Sequence, residues 1–172
     1  ATSDKATPFN MTNHSYFNLG DKDILDHYLH MTSDTYSPTD QYGLTLDETR
    51  KTAGTPYDFN AFSRIGDHFN EIINIDNNYV WENLEDKLMC ELKNDKLQLN
   101  IYSDLPDMHV YTAYYLGTDT GKENKPYEKY GGIALEAQYF PNGINYGDKY
   151  LLPILKKGEQ ATHYIRYQLK KV

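Results

Sequence analysis

Alternation of apolar and polar residues at a period of two is the feature that most constrains how this chain can fold. Over residues 97–102, the apolar side chains of Leu97, Leu99 and Ile101 alternate with more polar ones. An extended strand directs successive side chains to opposite faces, so one face of this strand is apolar. A second strand-like run precedes it at residues 87–93, and two polar residues separate the runs. The pattern predicts a β-hairpin with a short polar turn.

The same signal recurs along the rest of the chain. Residues 162–169 alternate in the same way, and residues 61–72 are the one segment that could form a short helix. Further strands are predicted at residues 7–12, 28–32, 79–81, 109–116 and 133–138. Short strands between Gly, Pro, Asn and Asp clusters favour a β-sandwich or barrel. Because 172 residues without a repeat or linker fit one domain, we predict a single all-β domain over residues 1–172.

Charge and composition limit the partners. The formal net charge is −8, so a nucleic acid would be repelled, and a neutral substrate fits better than a phosphorylated one. No stretch approaches the roughly 20 apolar residues that cross a bilayer, so we expect no membrane partner. The 17 tyrosines suit half-buried sheet faces and polar ligand clefts. The single cysteine, Cys90, lies in an apolar run and is predicted to be a core residue.

The chemistry that the residues allow is acid–base chemistry. The six histidines lack the spacing of a helical zinc site, and neither a phosphate loop nor a serine-hydrolase elbow is present, so we expect no metal and no cofactor. His14 lies in a polar cluster flanked by aromatic residues, and Glu136 lies within an alternating strand. Asp76 precedes another strand. Local pattern alone favours structural or surface roles for all three residues.

Several ordered motifs change this interpretation. The longest is Thr-Asn-His-Ser-Tyr-Phe-Asn-Leu at residues 12–19. The others are His-Tyr-Leu at 27–29, Gly-Thr-Pro-Tyr-Asp-Phe at 54–59, Ile-Asp-Asn-Asn-Tyr-Val at 75–80, Val-Tyr-Thr at 110–112, Leu-Glu-Ala-Gln at 135–138, Phe-Pro-Asn at 140–142 and Leu-Lys-Lys-Gly-Glu at 155–159. In this order they resemble the aldose 1-epimerases, the galactose mutarotase family, over essentially the whole chain.

The resemblance implies a fold and roles for individual residues. The fold would be a galactose mutarotase-like β-sandwich with an open cleft across one sheet. His14 matches the family's general acid, Glu136 its general base, and Asp76 a residue that binds sugar hydroxyls. His109 stands where many members carry Gln, and we include it, with Asn13 beside His14, among the candidate substrate contacts.

The implied activity is the interconversion of the α and β anomers of free hexoses such as galactose or glucose, in a cytoplasmic enzyme without a cofactor. Two alternatives stay open. One is a carbohydrate-binding β-sandwich that keeps the cleft but lacks turnover. The other is a relative of the hexose-6-phosphate epimerases, which would need a cluster of basic residues for the phosphate. Arginine occurs only at positions 50, 64 and 166, which disfavours that reading.

The resemblance also begins partway along a normal family member. We therefore expect the chain to correspond to the C-terminal half, with the N-terminal half missing together with its sugar-binding Arg or Asn and a further His. Exposed strand edges and self-association should follow. The His14 and Glu136 side chains should converge on one cleft, with a sugar-sized gap between them.

Overall fold

The computed structural model describes residues 1–117 and 120–172. These residues form short strands and four short 3-10 helices. The strands are Thr7–Pro8 (β1), Tyr16–Phe17 (β2), Tyr28–Met31 (β3), Thr35–Ser37 (β4), Arg50–Lys51 (β5), Ser63–Arg64 (β6), Asp76–Val80 (β7), Lys87–Lys93 (β8), Leu97–Ser103 (β9), Asp107–Tyr111 (β10), Ile133–Gln138 (β11), Ile154–Leu155 (β12) and Ile165–Lys171 (β13). The 3-10 helices are Ile65–Asn70, Lys122–Asn124, Gly143–Asn145 and Gly147–Lys149.

Two antiparallel sheets make the sandwich. The first has six strands in the order β2-β11-β10-β7-β4-β5, and the second has five in the order β13-β9-β8-β3-β6. A small separate pair joins β1 to β12. This architecture confirms the predicted all-β class and β-sandwich.

The core lies between the inner faces of the two sheets. The longer strands direct apolar residues toward it from one face, as period-two patterning predicts. The first sheet contributes Tyr36, Tyr79, Met108, Val110, Ile133, Leu135 and Ala137, and the second contributes Leu29, Met31, Cys90, Leu92, Leu99 and Ile101. No helix in the described part of the chain is long and apolar enough to cross a membrane.

The predicted hairpin is confirmed as β8 and β9. Its turn is closed by the Asn94 side chain, whose Oδ1 accepts the backbone N–H groups of Lys96 and Leu97 at 2.9 and 2.8 Å. Leu99 and Cys90 are both buried in the core, as the sequence predicted. A register irregularity between Leu88 and Cys90 marks a bulge in β8.

Several predicted elements differ in extent. The strands over 79–81 and 162–169 run over Asp76–Val80 and Ile165–Lys171. The strand over 7–12 is only Thr7–Pro8. The strand over 109–116 runs over Asp107–Tyr111 instead, and Ala113 beyond its end has a φ of 58°, which a strand cannot continue through. The helix over 61–72 is reduced to the 3-10 segment Ile65–Asn70, where poor apolar periodicity gives no stripe to bury.

Candidate active site

The floor of the site is the outer face of the first sheet. In the β10–β11 register Glu136 is opposite His109, and in the β10–β7 register His109 is opposite Asn78. Directly opposed residues in antiparallel strands point to the same face. Leu135 and Ala137 on the other face belong to the core. The alternation of β11 thus places Glu136 on the cleft side while its neighbours anchor the strand.

His14 reaches Glu136 because of strand register. In β2, Tyr16 is opposite Ala134 of β11, and extending this antiparallel register by two residues places His14 opposite Glu136. The Nε2 atom of His14 lies 3.4 Å from Oε1 of Glu136. The expected sugar-sized gap between the two side chains is therefore absent, and the open space lies beside the pair.

Asn10 fixes the segment before His14. Its Nδ2 donates to the backbone carbonyl of Tyr139 at 3.2 Å, and its Oδ1 accepts the Tyr139 N–H at 2.9 Å. Tyr139 directly follows β11, so this amide clamp ties the chain before His14 to the end of the Glu136 strand. Asn10 was not predicted as a site residue, because the sequence pattern placed it inside a strand over residues 7–12 and carries no sign of a contact to residue 139.

Glu136 and His14 lie in different electrostatic environments. The Glu136 side chain is 10% exposed, whereas that of His14 is 56% exposed. Burial raises the pKa of Glu136, and the nearby His14 and His109 oppose that rise. A buried carboxylate that holds its proton more tightly than usual is a stronger base once it is ionised.

Asp76 and His109 form a second imidazole–carboxylate pair on the same floor. The Nε2 of His109 donates to Oδ1 of Asp76 at 2.7 Å. The Asp76 side chain is 39% exposed and that of His109 is 17% exposed, so the carboxylate is the more accessible partner. Asp76 on β7 and Glu136 on β11 lie two strands apart across the sheet and two residues apart along it, so their backbones are separated by roughly 12 Å.

A cavity of about 480 Å³ joins these groups. Its wall contains four of the five predicted site residues, which are His14, Asp76, His109 and Glu136. Residues that the sequence analysis did not single out complete the wall: Tyr16, Gly43, Leu44, Thr45, Tyr111, Gln138, Pro141 and Asn142. The period of two could have found Tyr111 and Gln138, since each lies two residues after a predicted site residue on the same strand.

The loop over residues 43–45 carries no such signal, because it is brought to the cleft from a distant part of the sequence. Asp40 Oδ1 accepts the N–H groups of Tyr42 and Leu44 at 2.8 and 2.9 Å, and Gly43 has a φ of 81°. The hydroxyl of Tyr146 donates to the carbonyl of Thr45 at 2.6 Å. Contacts within the loop and across the fold therefore hold it at the cleft.

Asn13 is placed differently from the other predicted site residues. It is exposed, and its Oδ1 accepts the backbone N–H of Ser15 at 2.9 Å. It is not among the residues that line the cavity. The side chain stabilises the turn that carries His14, so its position offers a positioning role rather than contact with a ligand.

The charged groups in and around the cleft indicate which kinds of ligand it could bind. Residues 1–117 and 120–172 contain no group of three or more His, Cys, Asp or Glu side chains arranged to hold a metal ion. The guanidinium groups of Arg50, Arg64 and Arg166 each bond to nearby carboxylates, and none of them is in the wall of the cavity. The cleft therefore presents carboxylates, imidazoles and hydroxyls, which are groups suited to neutral polyhydroxyl ligands.

Two curated proteins with similar sequences come from a bacterium and a mammal. The chain is 31% identical to an aldose 1-epimerase of Escherichia coli strain K12 over 98% of its own length and 52% of that protein. It is 32% identical to a galactose mutarotase of Sus scrofa, over 95% of this chain and 50% of the relative. The chain thus spans about half the length of the relatives it matches.

Solved structures show the same fold. A galactose 1-epimerase from Lactobacillus acidophilus superposes with a TM-score of 0.76 at 28% identity, over 99% of this chain and 51% of that one. An aldose epimerase homologue from C. elegans gives a TM-score of 0.87 at 23% identity, over 99% and 54% of the two chains. The sequence model of the family described as aldose 1-epimerase matches residues 1–168, and the chain accordingly belongs to the aldose 1-epimerase family.

Proposed function

We propose that the chain acts as an aldose 1-epimerase, interconverting the α and β anomers of free hexoses such as galactose or glucose. The observation that carries the proposal is the 3.4 Å approach of His14 Nε2 to Glu136 Oε1 beside a cavity of about 480 Å³. The names of the relatives support it, since they are an aldose 1-epimerase and a galactose mutarotase.

Anomer exchange needs two proton transfers at neighbouring oxygens. The Glu136 carboxylate takes the proton of the anomeric hydroxyl while the His14 imidazolium donates one to the ring oxygen. The bond between the anomeric carbon and the ring oxygen breaks, which yields an open-chain aldehyde and a free hydroxyl. After rotation about the adjacent carbon–carbon bond the ring recloses on the other face, and both protons return. Each positioned acid or base contributes roughly 10²–10⁴-fold to such a rate.

The different burial of the two groups suits these roles. Glu136 lies on a core strand, and burial raises the pKa of its carboxyl group, which strengthens it as a base. His14 is largely exposed, so its imidazole can exchange protons with water between turnovers. Because each transfer is reversed when the ring closes, neither group is left in the wrong charge state after a full cycle.

Asp76 takes a binding role in this proposal. It lines the same cavity as Glu136 but lies two strands away from it. A sugar whose anomeric end meets His14 and Glu136 would thus present a distal hydroxyl to Asp76. A carboxylate at that distance from the reacting bond accepts a hydrogen bond and does not act as the base.

The test is anomer exchange of galactose and of glucose, followed by polarimetry or exchange NMR. Wild type should exceed the buffer rate, and His14→Ala and Glu136→Ala should each lose that excess at equal folded concentration. His30→Ala is a matched control, because His30 pairs with Glu91 at 2.9 Å on the second sheet, outside the cleft. A wild-type rate equal to the buffer blank would remove the proposal.

A second function follows from one specific fact, which is that the chain spans about half the length of its relatives. A sugar-binding sandwich that keeps the cleft but lacks turnover would bind galactose or glucose in an NMR titration while exchange stayed at the spontaneous rate. Binding and exchange measured on the same sample separate the two functions.

Location and assembly are part of the proposal. We place the chain in the cytoplasm, as the family resemblance implies. Self-association is also proposed, on the basis of the exposed edge strand β13, and is tested below.

A further inference from the structure

We propose that His109 is a positioning residue that holds one oxygen of the Asp76 carboxylate and so orients the other oxygen to accept a sugar hydroxyl. This inference rests on the proposed function for the identity of the ligand. The hydrogen bond itself is a property of the protein alone. The two parts can therefore be tested separately.

The contact between the two side chains is short and directional. His109 Nε2 lies 2.7 Å from Asp76 Oδ1, a distance typical of a charge-assisted hydrogen bond. The residues are diagonal neighbours across β10 and β7, since Asp76 is paired with Tyr111 and His109 with Asn78. Strand pairing sets this geometry, so the bond does not depend on a loop conformation.

The surroundings of Nδ1 indicate which ring nitrogen of His109 carries the proton. His109 Nδ1 is buried and has no hydrogen-bond partner in the described part of the chain. A buried N–H without an acceptor is costly, so the neutral ring carries its proton on Nε2, facing Asp76. The neighbours opposite His109 on the two flanking strands, Asn78 and Glu136, limit rotation of the ring.

The solvent exposure of the two side chains indicates which of them faces the ligand. Both side chains line the cavity, but that of His109 is 17% exposed and that of Asp76 is 39% exposed. The carboxylate is thus the more accessible partner, and the less exposed imidazole holds one of its oxygens. With Oδ1 engaged, the plane of the carboxylate is set and Oδ2 is presented to a distal hydroxyl. An interaction with a hydroxyl that does not react stabilises ground and transition states alike, so it affects KM and not kcat.

Amide substitutions at His109 discriminate this role from simple packing. Glutamine can place its N–H₂ group near the position of Nε2, whereas asparagine can place it only near the position of Nδ1. We expect His109→Leu and His109→Asn to raise KM roughly tenfold or more with kcat within about threefold, and His109→Gln to restore KM to within about threefold of wild type. Equal KM values for the Gln and Asn variants, or an unchanged KM in His109→Leu, would overturn the proposal.

A second measurement is independent of turnover. In ¹⁵N-histidine-labelled protein, Asp76→Asn should shift the His109 ring ¹⁵N resonances, whereas Glu91→Gln should shift those of His30 and leave His109 unchanged. Unshifted His109 resonances in Asp76→Asn overturn the proposed bond whether or not the protein exchanges anomers. If the resonances shift but wild type shows no exchange, the proposed function fails and the bond stands. The galactose Kd then replaces KM as the readout for the same variants.

Discussion

His14 and Glu136 meet at 3.4 Å because strands β2 and β11 share a register, although each residue alone looks unremarkable in the sequence. Tyr16 is opposite Ala134, and two residues further along each strand the imidazole comes to lie beside the carboxylate. The pair combines a buried carboxylate with an exposed imidazole. This combination has a consequence for stability as well as for activity.

Glu136→Gln should abolish anomer exchange above the buffer rate and at the same time stabilise the fold. Burial raises the pKa of Glu136, so above that pKa the folded state holds a carboxylate in a poorer environment than the unfolded chain does. The amide removes that cost, and we expect an increase of roughly 1 kcal/mol in the free energy of unfolding at about pH 8. Urea denaturation of both proteins measures it. A less stable variant would show that the carboxylate is a net stabilising group.

Asp76→Asn should raise KM for galactose roughly tenfold and change kcat little. The amide keeps the size of the side chain but replaces a charged acceptor by a neutral one, and hydrogen bonds to charged groups are the stronger ones. Initial rates of anomer exchange over a range of sugar concentrations separate the two parameters. A collapse of kcat at unchanged KM would instead make Asp76 a participant in proton transfer.

Asp107 should make stability depend on pH. It is almost completely buried, and burial raises the pKa of its carboxyl group from 3.8 to about 8. Below the unfolded value both states hold the proton. Between the two values only the folded state does, so the free energy of unfolding falls as the pH rises from about 4 to about 8.

Asp107→Asn should therefore be more stable than wild type by on the order of 5 kcal/mol at about pH 8 and equal to it near pH 4, because each pKa unit between the folded and the unfolded state is worth about 1.4 kcal/mol. Chemical denaturation at a series of pH values gives the comparison. Asp148→Asn is a suitable control, because Asp148 lines the same small cavity as Asp107 but is exposed. A constant difference between the Asp107 variant and wild type at every pH would refute the raised pKa.

The edge strand β13 should mediate self-association. It is the outermost strand of the second sheet, and on its inward-directed face Leu169 is 62% exposed and Tyr167 is 38% exposed. An unpaired edge with apolar side chains is prone to pair with another chain. Light scattering after gel filtration should show a mass that increases with concentration, and Leu169→Lys should reduce it. Ile73→Lys is the control, because Ile73 is 58% exposed and lies outside β13. An equal reduction in mass by this variant would contradict association through β13.

The strand pattern of the fold could be predicted from the sequence because it is local. Alternation over residues 97–102 and over 133–138 predicted β9 and β11, and the latter matches Ile133–Gln138 at both ends. Boundaries were wrong where backbone geometry stops a strand without a hydrophobic signal. Ala113, with its φ of 58°, is such a point, because the alternation of apolar residues carries no information about φ.

The candidate site was also predictable from the sequence only in part. Motif resemblance supplied His14, Glu136, Asp76 and His109, all of which line one cavity. Local pattern alone could not have grouped them, since they come from three strands and a loop far apart in the sequence. Asn13 was grouped with them by adjacency to His14, and its side chain bonds to Ser15 in the turn instead.

By itself the sequence determined the β class, the family and the residues of the candidate acid and base, because periodicity and ordered motifs are properties of the linear chain. Only the tertiary structure decided which groups touch. Strand register brings His14 to 3.4 Å from Glu136, and it lets His109 donate to Asp76 at 2.7 Å. Strands that are distant in the sequence pair in the register that buries their apolar faces. That register determines which side chains become neighbours on the opposite face.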